Sequence, residues 1–289
     1  MSTATVLRSQ FPRATATFNR YGGAAGRGLT EVGRLALFSL FSIGQIGHTL
    51  RRYPQEMLRQ IAQTGLGAGA MAFAGGAVGI GGFVVLSGAS LVAVQGFASL
   101  GNIGVEAFTG FFAALINVRI GAPVIGGVLL ASIIGAGHTA ELGAMRINEE
   151  IDALEVMGIN SIAYLTTTRL VAGIVALVPL YCGLVVVAFV SPQLTTTLLY
   201  GQSHGTYVHY FRTFLRPEDV FSSFVESLII VVVVMLSHCY YGYNASGGPV
   251  GVGEAVGRSM RFSLVSVNVV VLLATLAIYG VHPNFALTV

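Results

Sequence analysis

Five stretches of this chain carry no charged side chain: Ile61–Val105, Ile120–Ala140, Leu170–Phe211, Ser227–Gly253 and Phe262–Val289. Each reaches the ~20 residues that an α-helix needs to cross the ~30 Å hydrocarbon core of a bilayer. Backbone N–H and C=O groups find no water in that core, so runs of this kind must satisfy them internally, as helices. The alternating short strands of a transmembrane barrel are absent from the pattern. With 54% hydrophobic and 9% charged residues and a mean hydropathy of +0.77, the chain lies outside the composition of soluble domains. The expected fold is an all-α integral membrane protein. An N-terminal amphipathic interfacial helix precedes five transmembrane helices, placed at about 61–93, 118–140, 168–191, 220–241 and 260–282.

Charge bias orients these spans. Every basic residue is arginine, and eight of the fifteen lie at or before Arg59, opposed there only by Glu31 and Glu56. The positive-inside rule therefore places the N-terminus in the cytoplasm of a cell with a plasma (inner) membrane. Arg258 and Arg261 flank the last span on the side that five crossings also make cytoplasmic, and the C-terminus falls outside. The long first window reads as one span, because a helical hairpin there would put the later carboxylates outside. Residues 1–59 form an arginine-rich cytoplasmic segment and 60–289 a five-span domain. Leu35–Ile46 is too short to cross and reads as an in-plane helix anchored by Arg34, Arg51 and Arg52; a helix buried against the bundle is the alternative. No cleavable signal is visible in residues 1–34.

Some features point to packing rather than chemistry. Gly75 and Gly79, with Gly81 and Gly82, supply the small surfaces on which membrane helices approach closely. Cys182 and Cys239 fall within spans and read as packing residues. Pro192 marks the end of the third span; an external loop with a short interfacial helix follows. His204 and His209 in that loop do not share a helix face, so no metal site is expected. Glu106 and Arg119 are the only charges between Arg59 and Glu141, at the external end of the first two spans.

The run ELGAMRINEEIDALEVMG, Glu141–Gly158, is a polar island between two dark spans. Ile147, Ile151, Leu154 and Met157 recur at helical spacing, while Arg146, Glu149, Glu150, Asp152 and Glu155 occupy most other positions. That pattern is a short amphipathic helix at about 146–157. Asn148 suits its N-cap, the neighbouring carboxylates its positive end, and Gly158 its C-terminal cap. Its apolar stripe needs a partner, either the protein's own bundle or the groove of a soluble subunit. Catalysis is not expected: the carboxylates have no histidine or cysteine beside them except His138, at a span end. The chain has no GxxxxGK[ST] phosphate loop. The GxG in GPVGVGEAVG has no strand before it, and nothing addresses nucleic acid.

The segment AELGAMRINEEIDALEVMGINSIAYLTTTRL closely resembles the signature of the MlaE/YrbE permeases, the membrane subunits of lipid-transporting ABC systems. GYNASGGPVGVGEAVGRSM, the Gln95-Gly96 step and the Arg119–Pro123 region extend the likeness from about residue 30 onward. Arginine-rich and lysine-free, the chain looks most like a B-type YrbE subunit of an actinobacterial Mce system. The resemblance implies that the helix at about 146–157, with Arg146, Glu149, Glu150, Asp152, Leu154, Glu155, Met157 and Gly158, couples the permease to a cytoplasmic ABC ATPase. ATP and Mg would sit on that partner and no cofactor on this chain. A paralogous YrbE-type permease, hexameric Mce-type external proteins and a lipid or fatty acid substrate, moved inward, complete the implied assembly. Gln95, Glu106 and Arg119 would lie near the lipid path. The chain departs from many members at Arg119-Ile120 and Ser132-Ile133, where a charge is missing. A secondary transporter or channel, or a scaffold that moves nothing, are the rival readings; the first would have to manage with almost no intramembrane charges to couple ions.

Overall fold

The computed structural model describes residues 30–66 and 70–280, and among these there are helices and no strand. In chain order they are α1 (30–44), α2 (Ile46–Arg52), α3 (Pro54–Leu66), α4 (Ala70–Gly101), α5 (Glu106–Ile147), α6 (Glu150–Val156), α7 (Ile162–Tyr200), α8 (His204–Phe214), α9 (Pro217–Tyr243) and α10 (Gly248–Tyr279). Five of them, α4, α5, α7, α9 and α10, are long and apolar enough to cross a membrane. The arginine-rich residues before 30, the chain beyond 280 and the surroundings of Gly75 lie outside what is described.

The helices overrun the spans expected from hydropathy, for physical reasons that differ from end to end. Pro54–Leu66, ahead of α4, forms a separate amphipathic helix, and α4 carries an apolar window over Gly79–Gly101. Pro192 does not end the third span. It sits inside α7, which runs on to Tyr200 and stops at Gly201 in a left-handed conformation (φ 65°). A proline late in a helix removes only one bond from the ladder; Thr195 and Thr196 donate back to the Ser191 and Pro192 carbonyls, and Ser191 donates across to the Leu86 carbonyl on α4. In α5, a π-helical stretch at Ala114–Gly121 precedes Pro123 and a second lies at Ala131–Gly135. The wider turn before Pro123 absorbs the backbone misfit that the ring imposes.

Packing divides the bundle into two neighbourhoods. α4 packs on α7 and α5 through Val85, Leu184 and Ala188 with Leu129 of α5. A hydroxyl ladder joins α4 and α7: Ser90 and Ser191 meet at 2.8 Å, and Thr195 donates to Ser90 at 2.9 Å. α5, α7, α9 and α10 share the larger core, with Leu130, Leu170, Leu177, Ile230, Met235 and Val267 at its centre. α5 and α9 run in the same direction at close range. A Cβ on Gly127 would meet Ile230 at 2.6 Å, one on Gly135 would meet His238 at 2.5 Å, and one on Gly242 would meet the Thr139 carbonyl at 2.8 Å. Small residues are what let helices approach this closely where lipid supplies no hydrophobic drive.

α1 combines the two readings of the N-terminal helix. Phe38 packs edge-on to Tyr240, and Thr167 donates to the Ser42 carbonyl at 3.1 Å, so one face is docked on the bundle. Leu37, Leu40, Phe41 and Ile43 on the other faces are exposed.

Candidate functional site

The polar island folds as a tight angle followed by a short helix. α5 continues through Arg146 and Ile147, so Asn148 closes that helix, its N–H bonding the Ala144 carbonyl at 3.0 Å, and does not cap the next one. Glu149 then takes a left-handed conformation (φ 60°), and α6 begins at Glu150. The expected helix over about 146–157 is thus the last turn of α5, a corner, and seven residues of α6. The corner exists because Ile151 must reach back under the bundle, which a straight continuation of α5 would prevent. At the other end, Ile159 N–H bonds Leu154 O at 3.0 Å and Gly158 N–H bonds Glu155 O at 2.9 Å, with Gly158 left-handed. This is a Schellman cap, in which glycine avoids the Cβ penalty.

α6 is bolted to three spans. Ile151 is fully buried against Leu142, Leu165 and Cys239, with Leu154 beside it. Arg146 Nη1 donates to Asp152 Oδ1 at 2.6 Å, and its guanidinium lies 5.9 Å from the Tyr243 ring centroid. Glu155 Oε1 accepts from Ser161 Oγ at 2.7 Å and from Tyr243 OH at 3.0 Å, tying α6 to the start of α7 and the end of α9. These bonds, Ser161's first, hold the Glu155 carboxyl below its ordinary range. What remains outside is Val156, 89% exposed, and Met157, 65% exposed, edged by Glu149 and Glu150. The exposed face of α6 is thus an apolar pair edged by carboxylates.

Of the polar cluster at the α5–α7 contact, sequence reasoning named Glu141 and His138 but passed over Arg169, Thr139 and His238. Buried Arg169 donates to Leu165 O at 3.0 Å and pairs with Glu141 at 3.3 Å, and His138 lies 3.5 Å from the same carboxylate. Next to His138, Thr139 bonds both Nδ1 and the carbonyl oxygen of His238, at 2.8 and 3.0 Å. Arg169 lies in the TTTRL segment, and a lone charge at the start of an otherwise uncharged run to Phe211 was the available signal.

The lipid-path residues named from the resemblance are dispersed. Gln95 is exposed on α4 and bonds Ser99 at 3.2 Å. Glu106 starts α5, exposed, with its carbonyl near Gln202. Arg119 pairs with buried Asp219 on α9 at 2.9 Å. The expectation of spans without interior charge is corrected by Glu226, which sits within α9, 1% exposed, with Oε1 lacking a hydrogen-bond partner. Of the two cysteines, Cys239 is buried and Cys182 exposed; neither is in a disulfide. Among the described residues no three His, Cys, Asp or Glu side chains are grouped to hold a metal.

Known proteins share this sequence pattern. The family described as Permease MlaE matches residues 66–277. "Protein TRIGALACTOSYLDIACYLGLYCEROL 1, chloroplastic" of Arabidopsis thaliana is 31% identical over 166 residues, 57% of this chain and 47% of that protein. A "Probable ABC transporter permease protein" of Rickettsia bellii is 28% identical over 166 residues, 57% of this chain and 64% of that one. A protein of the same name in Rickettsia felis is 24% identical over 220 residues, 75% and 82% respectively. The match to the first two spans only 47% and 64% of their lengths.

Proposed function

The chain belongs to the MlaE permease family, and on that premise we propose that it is the non-catalytic membrane subunit of an ABC-type lipid transporter. α6 is its coupling helix, and a separate cytoplasmic ATPase receives Val156 and Met157 in a groove on its surface. The observation that carries this reading is the mounting of α6. Ile151, Asp152 and Glu155 connect seven residues to α5, α7 and α9 at once, so displacement of α6 moves the ends of three spans together. ATP and Mg belong to the partner; this chain supplies apolar surface, a path and a mechanical link.

Orientation follows from arginine placement. Arg34, Arg51, Arg52, Arg59, Arg146, Arg258 and Arg261 gather at the α6 end of the bundle, which supports a cytoplasmic N-terminus and an external C-terminus in the plasma (inner) membrane. A second, paralogous permease subunit pairs with this chain, and hexameric Mce-type proteins exchange lipid with the external face. A fatty acid or another lipid travels inward, in the manner of a B-type YrbE subunit.

The test is a pull-down from native membranes in mild detergent, with mass spectrometry of proteins and retained lipids. Recovery of an ATPase, a paralogous permease and Mce-type proteins supports the proposal. Recovery of the chain alone would favour a secondary carrier, for which Glu226 supplies the ionisable intramembrane group.

A further inference from the structure

A cleft of about 430 Å³ opens between α1 and the α9–α10 hairpin at the α6 end of the bundle, lined by Glu31, Arg34, Tyr240, Tyr241, Asn244 and Arg258, with Thr30 at its rim. Its chemistry is that of an anion receptor. Two guanidiniums come from separate helices, and among the described residues neither Arg34 nor Arg258 is in an ion pair. Glu31 is the single carboxylate in the cleft's lining. The surplus charge is positive, and arginine forks match the oxygens of a phosphate better than those of a single-point acceptor.

The surroundings identify the kind of anion. Leu37 and Phe41 follow Arg34 at i+3 and i+7, on the same face of α1, and both are exposed. A helix that offers arginine and then large apolar side chains along one stripe sits at the boundary between headgroups and acyl chains. Tyr240 and Tyr241 bring aromatic rings with polar tips to the same depth, as membrane-interface belts do. A free phosphate would use the arginines and leave the apolar stripe bare; a phospholipid uses both.

We propose that this cleft binds the phosphate of an anionic phospholipid from the surrounding leaflet, held between Arg34 and Arg258 with its acyl chains along Leu37 and Phe41. The lipid clamps α1 onto the α9–α10 hairpin. It is a resident lipid, distinct from any cargo, and the inference does not rest on the transport reading.

The test uses the full chain in phosphatidylcholine nanodiscs containing a minor fraction of phosphatidylglycerol, with retained lipids counted by native mass spectrometry. The wild type retains one phosphatidylglycerol per chain. The double variant Arg34→Gln/Arg258→Gln loses about thirtyfold in affinity, from two interfacial basic groups. The charge-matched variant Arg51→Gln/Arg52→Gln, whose arginines line a separate cleft with Gly47 and His48, retains it. Equal retention by wild type and Arg34→Gln/Arg258→Gln overturns the proposal, as does equal loss in the two double variants, which would mean diffuse surface charge. Displacement of phosphatidylglycerol by millimolar inorganic phosphate, with no preference for the lipid, overturns the lipid assignment in favour of a soluble anion. Both arginines are exposed, so folding of the variants is checked by an unchanged thermal transition, and Arg34→Lys/Arg258→Lys separates charge from fork geometry by restoring part of the binding.

Discussion

Truncating α6 on its two faces should produce opposite phenotypes. Ile151→Ala removes a fully buried side chain from a site bounded by Leu142, Leu165 and Cys239, all themselves almost wholly buried. Buried Ile→Ala changes cost about 2–5 kcal/mol. The walls belong to three long helices that cannot collapse inward, but α6 is a single short helix that can shift, so about 3 kcal/mol is the central expectation. That cost falls on the local opening of α6, because nothing else depends on Ile151. It should appear as a loss of amide protection of about a hundredfold at Ala153 and Met157, whose N–H groups bond Glu149 O and Ala153 O at 3.0 and 3.2 Å. Val156→Ala/Met157→Ala, in contrast, touches side chains already in solvent and should stay within about 0.5 kcal/mol of wild type in stability. Under the proposed function it should nevertheless reduce recovery of the ATPase by tenfold or more, as loss of an interface anchor does. Hydrogen exchange on the detergent-solubilised chain and quantitative co-purification read the two effects separately. Unchanged protection in Ile151→Ala refutes the packing argument. Full ATPase recovery by Val156→Ala/Met157→Ala refutes the docking face while leaving the fold intact.

Further outcomes follow from other contacts. Gly135→Ala drives a methyl into the His238 ring at 2.5 Å, where Thr139 prevents the ring from turning away; it should cost about 1–3 kcal/mol, while Gly137→Ala, with nothing within 4 Å, should leave the detergent melting temperature unchanged or raised. Because the Glu155 carboxyl is held below 4.5, its bonds to Ser161 and Tyr243 stabilise the α6–α7 turn fully above pH 4.5 and fade as pH falls through the lowered value. The difference in Gly158 amide protection between wild type and Tyr243→Phe should therefore be largest at neutral pH and disappear in acid; a difference that grows in acid would reverse the sign. Glu226→Met exchanges a buried carboxyl lacking a partner at Oε1 for an apolar chain of similar length and should hold or raise stability, by up to about 3 kcal/mol; a lowered melting temperature would contradict this.

The five-helix membrane fold was legible because a charge-free run of that length leaves the backbone one option. The island was legible as a helix with a C-terminal glycine because Ile151, Leu154 and Gly158 stand at the right intervals. Its start was not, since Asn148 is equally suited to closing one helix and to opening another, and only the burial of Ile151 forces the corner at Glu149. Arg169 and Glu226 were overlooked for a related reason. Hydropathy averages over a window and hides a single buried charge, while pairing with Glu141 or placement on an interior helix face appears only when three helices are assembled. Gln95 was named by resemblance, and Glu106 and Arg119 as the isolated charges of the first two spans; that Arg119 pairs with Asp219 of α9 could not be read from spacing along one chain.

The close approach of α5 to α9 at Gly127, Gly135 and Gly242 has a mechanical meaning. These contacts act like the teeth of a rack: sliding one helix along the other by a single residue, about 1.5 Å, would carry Ile230, His238 and Thr139 out of recesses that have no spare room. The pair can tilt or turn as one beam but not shear. A push at α6 therefore reaches the opposite end, where Arg119 meets Asp219, without being lost in slippage along the way. Under the proposed function, reciprocity then requires that whatever grips that far end change the affinity of α6 for its ATPase.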